Sequence, residues 1–168
     1  LTYIDISAIR IGISPDFSFY FVSIANASSL AGRLISAFLV DKCGPINFYA
    51  PMTFLAGVMT YAWPFARTQE SLLAVAILNG FFTGAFAGTF VLPVYAMGEI
   101  DDVGRRTGMI MTVAAIGALI GPPISGAIND ASGGFEAVGY YAGSMIILSC
   151  ALLLLARHLV LRSWFGKF

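Results

Sequence analysis

Charge is what this chain has least of. Only 11% of its 168 residues are Asp, Glu, Lys or Arg, against about 25% in a soluble domain. The deficit excludes an ordinary soluble domain. Nine acidic residues balance nine basic ones, so no basic footprint for a nucleic-acid partner exists. Histidine occurs once, at 158, and cysteine twice, at 43 and 150. One His and two distant Cys without a CxxC make no typical metal site. There is no HExxH, no Ser/His/Asp constellation, no phosphate loop and no carboxylate pair within an apolar run. An enzyme is therefore not expected, and no cofactor is called for. The N-terminus lacks a basic region ahead of an apolar core, so it is not a signal peptide. Its opening "LTYIDISAIRIGIS" reads as a chain entered midway.

What is present is apolar. Hydrophobic residues make up 58% of the chain, mean hydropathy is +0.85, and 14 Phe, 7 Tyr and 18 Gly accompany them. Glycine is more frequent in membrane helices than in soluble ones. A spanning helix needs about 20 mainly apolar residues, and five such runs can be drawn, at about 17–40, 47–66, 71–95, 108–128 and 137–160. Residues 1–13 read as the end of a further, truncated helix. The runs are continuous, whereas barrel strands alternate over about ten residues. The fold class is all-α, a polytopic membrane helix bundle in contact with a lipid bilayer.

The charges gather between the runs, and the excess of Lys and Arg marks the cytoplasmic side. Lys42, Arg105, Arg106, Arg157, Arg162 and Lys167 fall on one side, Arg67 and Arg10 on the other. This places the 41–46 loop, the 96–107 loop and the C-terminus in the cytoplasm. Within the third run, Gly80, Gly84 and Gly88 recur at a spacing of four, which lines one helix face with glycine for close packing. The fourth holds Gly117, Gly121 and Gly126 around Pro122 and Pro123. Each proline removes a backbone donor and crowds the preceding turn, so a kink is expected there.

Arg33 stands out within the first run, "SIANASSLAGRLISAFLVDKCG". A charge at a helix centre costs roughly 2.5–3.5 kcal/mol on insertion scales. Asn26, Ser29, Arg33 and Ser36 fall at i, i+3, i+7 and i+10, on one stripe. Such a stripe faces a bundle interior or a watery cavity. Two roles fit Arg33. Its planar fork matches a carboxylate through two hydrogen bonds. Alternatively it holds helices together through an ion pair, for which Asp5 is a candidate, or by capping carbonyls.

At these residues the chain resembles a known family. "SIANASSLAGRLISAFLVDKCGPIN", "GFFTGAFAGTFVLPVYA", "GRRTGM" and "GALIGPPISGAI" are similar to the C-terminal half of fungal monocarboxylate-transporter-like members of the major facilitator superfamily. The resemblance covers essentially the whole chain, from the end of the seventh helix to the twelfth. It implies secondary transport of small organic anions, monocarboxylates first, by alternating access of two six-helix halves, with the N-terminal half as the missing partner. It implies a plasma-membrane location and a substrate site at Arg33 with Asn26 and Ser29. Characterised monocarboxylate transporters carry an aspartate one turn before that arginine. Here the position is Ser29, so the family's proton-coupling pair is incomplete. The segment holding Asp41, Lys42 and Gly44 resembles the superfamily's cytoplasmic gating motif, with the aspartate meeting the start of the eleventh helix near Thr107, beside Arg105 and Arg106. The alternatives are a transporter-like scaffold or sensor without flux, and a carrier of another solute.

Overall fold

The computed structural model describes residue 12, residues 15–96 and residues 98–161. The expected helix stub at 1–13, with Asp5 and Arg10, and the tail holding Arg162 and Lys167 lie outside them. Among the described residues six α-helices follow one another: α1 (Pro15–Cys43), α2 (Pro45–Ala62), α3 (Gln69–Thr89), α4 (Leu92–Ala96), α5 (Val103–Ser132) and α6 (Phe135–Leu161). Short 3-10 turns occupy Trp63–Phe65 and Ile100–Asp102, and no strand occurs among the described residues. Among the described residues four stretches are long and apolar enough to cross a membrane: Phe19–Cys43, Gln69–Tyr95, Ile100–Ser132 and Phe135–Leu159. The 18-residue α2, which holds Pro45, Asn47, Pro51, Thr53 and Thr60, is not one of the four. Its length, roughly 27 Å, is close to the hydrocarbon thickness.

The expected 41–46 loop is not a loop. α1 runs through Asp41 and Lys42 to Cys43, and α2 begins at Pro45. Gly44 alone turns the chain, at φ 88° and ψ 148°, with its N–H on the Val40 carbonyl at 2.8 Å. Proline is preorganised for a first helical position, and a positive φ with ψ near 150° belongs almost solely to glycine. Gly44→Ala is accordingly expected to cost about 1–3 kcal/mol. The check is thermal unfolding of the full-length protein in detergent. An unchanged midpoint would contradict a strained turn at 44.

Other boundaries have similarly local causes. Thr68 and Ser71 form a reciprocal capping box that starts α3. The third expected run, 71–95, is broken: α3 ends at Thr89 and α4 starts at Leu92, one residue ahead of Pro93. α5, by contrast, runs unbroken through Pro122 and Pro123. It begins at Val103 rather than near Thr107, and it ends on Gly133, at φ 70°, a left-handed stop that glycine favours.

The most extensive pairings are α1 with α3 and α2 with α6, with α3 also lying on α2. α1 and α3 run parallel, because Ala25, Ser29 and Arg33 meet Gly80, Gly84 and Gly88 in that order. Phe21, Ala25, Ala66, Leu72 and Ala76 close one end of the core, and Val40, Phe48 and Ala85 the other. α2 and α6 run antiparallel. The Cys150 thiol meets the Ala50 carbonyl at 3.4 Å, and the hydroxyls of Tyr61 and Ser144 lie 2.5 Å apart. α5 stands apart from the others, with no buried residue.

Candidate functional site

The α1–α3 seam is built from missing side chains. A Cβ at Gly84 would sit 2.6 Å from the Ser29 Cα, and one at Gly80 would sit 3.1 Å from the Ala25 Cα. From the opposite side, a Cβ on Gly32 would lie 3.0 Å from the Ala85 nitrogen. Real Cβ contacts are essentially never shorter than 3.0 Å. Without a hydrophobic drive between helices in lipid, such close backbone approach is a main source of helix association.

This seam sets the direction of the polar stripe on α1. Residues seven apart share nearly one azimuth on a helix, so the stripe resolves into two edges. Ser29 and Ser36 lie on the edge against α3. Ser36 is buried, and its hydroxyl donates to the Arg33 carbonyl at 2.8 Å. Asn26 and Arg33 lie on the other edge, and both are exposed. Neither makes a hydrogen bond or ion pair among the described residues. The Arg33 stem rests on Gly88, where a Cβ would lie 3.4 Å from the Arg33 Cα and 3.5 Å from its Cγ. The guanidinium makes no hydrogen bond or ion pair among the described residues, which leaves its donors available. Chemically, that is an anchor for a planar anion.

The cytoplasmic-motif residues do not meet. Asp41 and Lys42 are exposed in the last turn of α1. Arg105 pairs instead with Asp102, one turn away, at 3.2 Å. Arg106 donates to three carbonyls, of Val94 at 3.1 Å, Glu99 at 2.5 Å and Asp102 at 3.4 Å. Arg106 thereby ties the end of α4 to the start of α5, and its guanidinium fills the space a side chain at Gly98 would need. Asp102 lies at the start of α5 and takes Arg105.

Gly117 and Gly121 on α5 meet nothing within 4 Å, unlike the glycines of α3. Gly126, Pro122 and Pro123 share that helix. Two residues were missed by the sequence reading. Arg157, counted with the loop charges, lies inside α6 and is only 7% exposed, so Arg33 is not the sole charge within a span. Its position toward the C-terminal end of the helix suits a cation. Asn79, near the middle of α3, is buried, and its Oδ1 has no hydrogen-bond partner among the described residues. A lone Asn within "SLLAVAILNGFF" was the available signal. A pocket of about 660 Å³ lies elsewhere, between the α2–α3 connection and the α5–α6 turn. Arg67 and Glu136 form an exposed ion pair across it at 3.2 Å. It lies at the Phe21 end of the bundle, roughly three turns of α1 from Arg33.

A bundle of long apolar helices carrying a polar edge with an arginine in it defines an integral, multi-pass membrane protein. The model of the major facilitator superfamily matches residues 3–164, and the chain belongs to that superfamily. It is 33% identical over 142 residues to the aspyridones efflux protein apdF of Emericella nidulans, covering 84% of this chain and 29% of that protein. It is 32% identical over 159 residues to MFS-type transporter 1 of an Ophiocordyceps species, covering 94% and 35%. It is 33% identical over 163 residues to the fujikurins efflux protein of Gibberella fujikuroi, covering 95% and 35%. The chain spans about a third of the length of these curated relatives.

Proposed function

We propose that this chain is the substrate-binding C-terminal part of a secondary transporter for small organic anions, monocarboxylates in the first instance, working by alternating access. The observation that carries the reading is Arg33, an exposed guanidinium without a partner among the described residues, set in an apolar helix beside Asn26. Its cost in a membrane is offset when an anion shares the site. The exposed sides of α1 and α5, with Leu30, Leu34, Phe38, Val113 and Leu119, are surfaces for lipid or for the other part of the transporter. The excess of Lys and Arg at the α1–α2 and α4–α5 end supports a cytoplasmic placement for that end, with plasma membrane as the setting. Ser29 offers no titrating group beside Arg33, so proton coupling through a neighbouring carboxylate does not follow.

A second reading is supported by the names of two relatives, which are efflux proteins for aspyridones and fujikurins. On that reading the solute is a larger metabolite moved outward, and Arg33 holds an acidic group on it.

The test is flux in proteoliposomes containing the full-length protein. Radiolabelled lactate is expected to enter well above protein-free vesicles, and its neutral isostere lactamide is not. Equal lactate flux with and without protein would overturn the monocarboxylate reading. A scaffold or sensor would carry no solute at all.

A further inference from the structure

We propose that Gly88 of α3 is a positioning and specificity-determining residue for anion binding, acting as the bare floor on which the Arg33 side chain lies. The inference rests on the reading of Arg33 as the anion anchor and goes beyond it. Gly88 differs from the other glycines of the seam. A Cβ at Gly80 or Gly84 would meet only α1 backbone, whereas one at Gly88 would have the Ser36 Oγ at 3.1 Å, the Arg33 Cα at 3.4 Å and the Arg33 Cγ at 3.5 Å, two of them side-chain atoms. Gly88 is also exposed, unlike Gly80 and Gly84. It therefore lies at the exposed margin of the seam, beside the stem of Arg33.

The contact at Cγ gives Gly88 control of direction. The position of an arginine Cγ is set by χ1, and on a helix one of the three χ1 wells is blocked by the preceding turn. Two wells remain. A branched side chain at 88 would occupy space beside the present Cγ and force Arg33 into the other, swinging its fork away from the present edge. Ser36 is a second route by which crowding at 88 reaches Arg33. Its hydroxyl, bonded to the Arg33 carbonyl at 2.8 Å, is the atom nearest to any Cβ placed at 88. Alanine at 88 would press on Ser36 first and disturb Arg33 through that bond.

The experiment compares variants of the full-length protein for lactate uptake in proteoliposomes, with KM and kcat determined separately and abundance measured. Gly88→Val is expected to raise KM about tenfold with kcat and abundance within about twofold, since misplacing a binding group by an ångström readily costs an order of magnitude or more. Gly88→Ala is expected to raise KM about threefold, and adding Ser36→Ala to restore it, because the crowded hydroxyl is then gone. A merely structural role would lower abundance or kcat and leave KM alone, and the second substitution would not rescue it. Should Gly88→Val fail to fold, the Gly88→Ala and Ser36→Ala pair decides. If Arg33→Lys raises KM while both Gly88 variants leave it unchanged, this inference fails and the anion reading stands. If Arg33→Lys also leaves KM unchanged, both fail.

Discussion

On the proposed anion reading, replacing Arg33 with alanine in the full-length protein is expected to raise the KM for lactate about 10- to 100-fold, the equivalent of losing a charge-assisted hydrogen-bonded pair. Abundance should not fall, because Arg33 makes no hydrogen bond or ion pair with the rest of this chain among the described residues, and truncation leaves no buried partner orphaned. Arg33→Lys separates charge from geometry. Lysine keeps the charge but presents a point ammonium in place of a planar fork, so its KM should lie between those of wild type and alanine. The ratio of lactate to lactamide flux should fall in the same order. An unchanged ratio in both variants, or a loss of protein that accounts for the whole loss of flux, would remove Arg33 from the binding site.

Much of this architecture can be read from local signals. The long apolar runs locate the helices, because a membrane leaves backbone groups no other way to pair. The glycine repeat of α3 points to close packing, and the repeat on α1, Ser28 and Gly32, supplies one of its contacts. The boundaries were less legible, since they depend on single residues acting through geometry. Nothing in the hydropathy of "VDKCGPIN" distinguishes a six-residue loop from a one-residue turn; the combination of Gly44 at positive φ and Pro45 at the first helical position does. Pro93 marks the break between α3 and α4, while α5 stays helical through two prolines. The polar stripe was visible, but its division into a packed and an exposed edge was not, because that depends on which face α3 covers. The same is true of Arg106, whose three carbonyl partners come from α4 and from the connection that precedes α5, and of Asn79, whose burial requires neighbouring helices.

Glycine-to-alanine changes along the seam should differ in effect even though the repeat is regular. In a helix interior alanine is favoured over glycine by about 1 kcal/mol, so each change begins with a gain. At Gly84 that gain is overwhelmed. The new Cβ would stand 2.6 Å from the Ser29 Cα and 2.7 Å from its carbonyl carbon, and backbone on both sides cannot step aside without separating α1 from α3. Overpacking of this kind costs roughly 1–3 kcal/mol or more, and it falls on the most extensive helix pairing in the chain. At Gly80 the new Cβ would also press on a backbone carbonyl oxygen, that of Ala25, but the backbone carbons stand at 3.1 Å rather than 2.6 Å, so less movement is needed. At Gly88 the nearest atom is a side-chain hydroxyl at 3.1 Å, which rotates, leaving the change close to neutral for stability even as it alters anion binding. The expected order of thermal destabilisation for the full-length protein in detergent is therefore Gly84→Ala, then Gly80→Ala, then Gly88→Ala, read as the temperature at which the monodisperse peak in size-exclusion chromatography is half lost. Equal shifts at 84 and 88 would mean that the seam yields along its whole length. Gly88 would then have no claim to a role different from that of its neighbours.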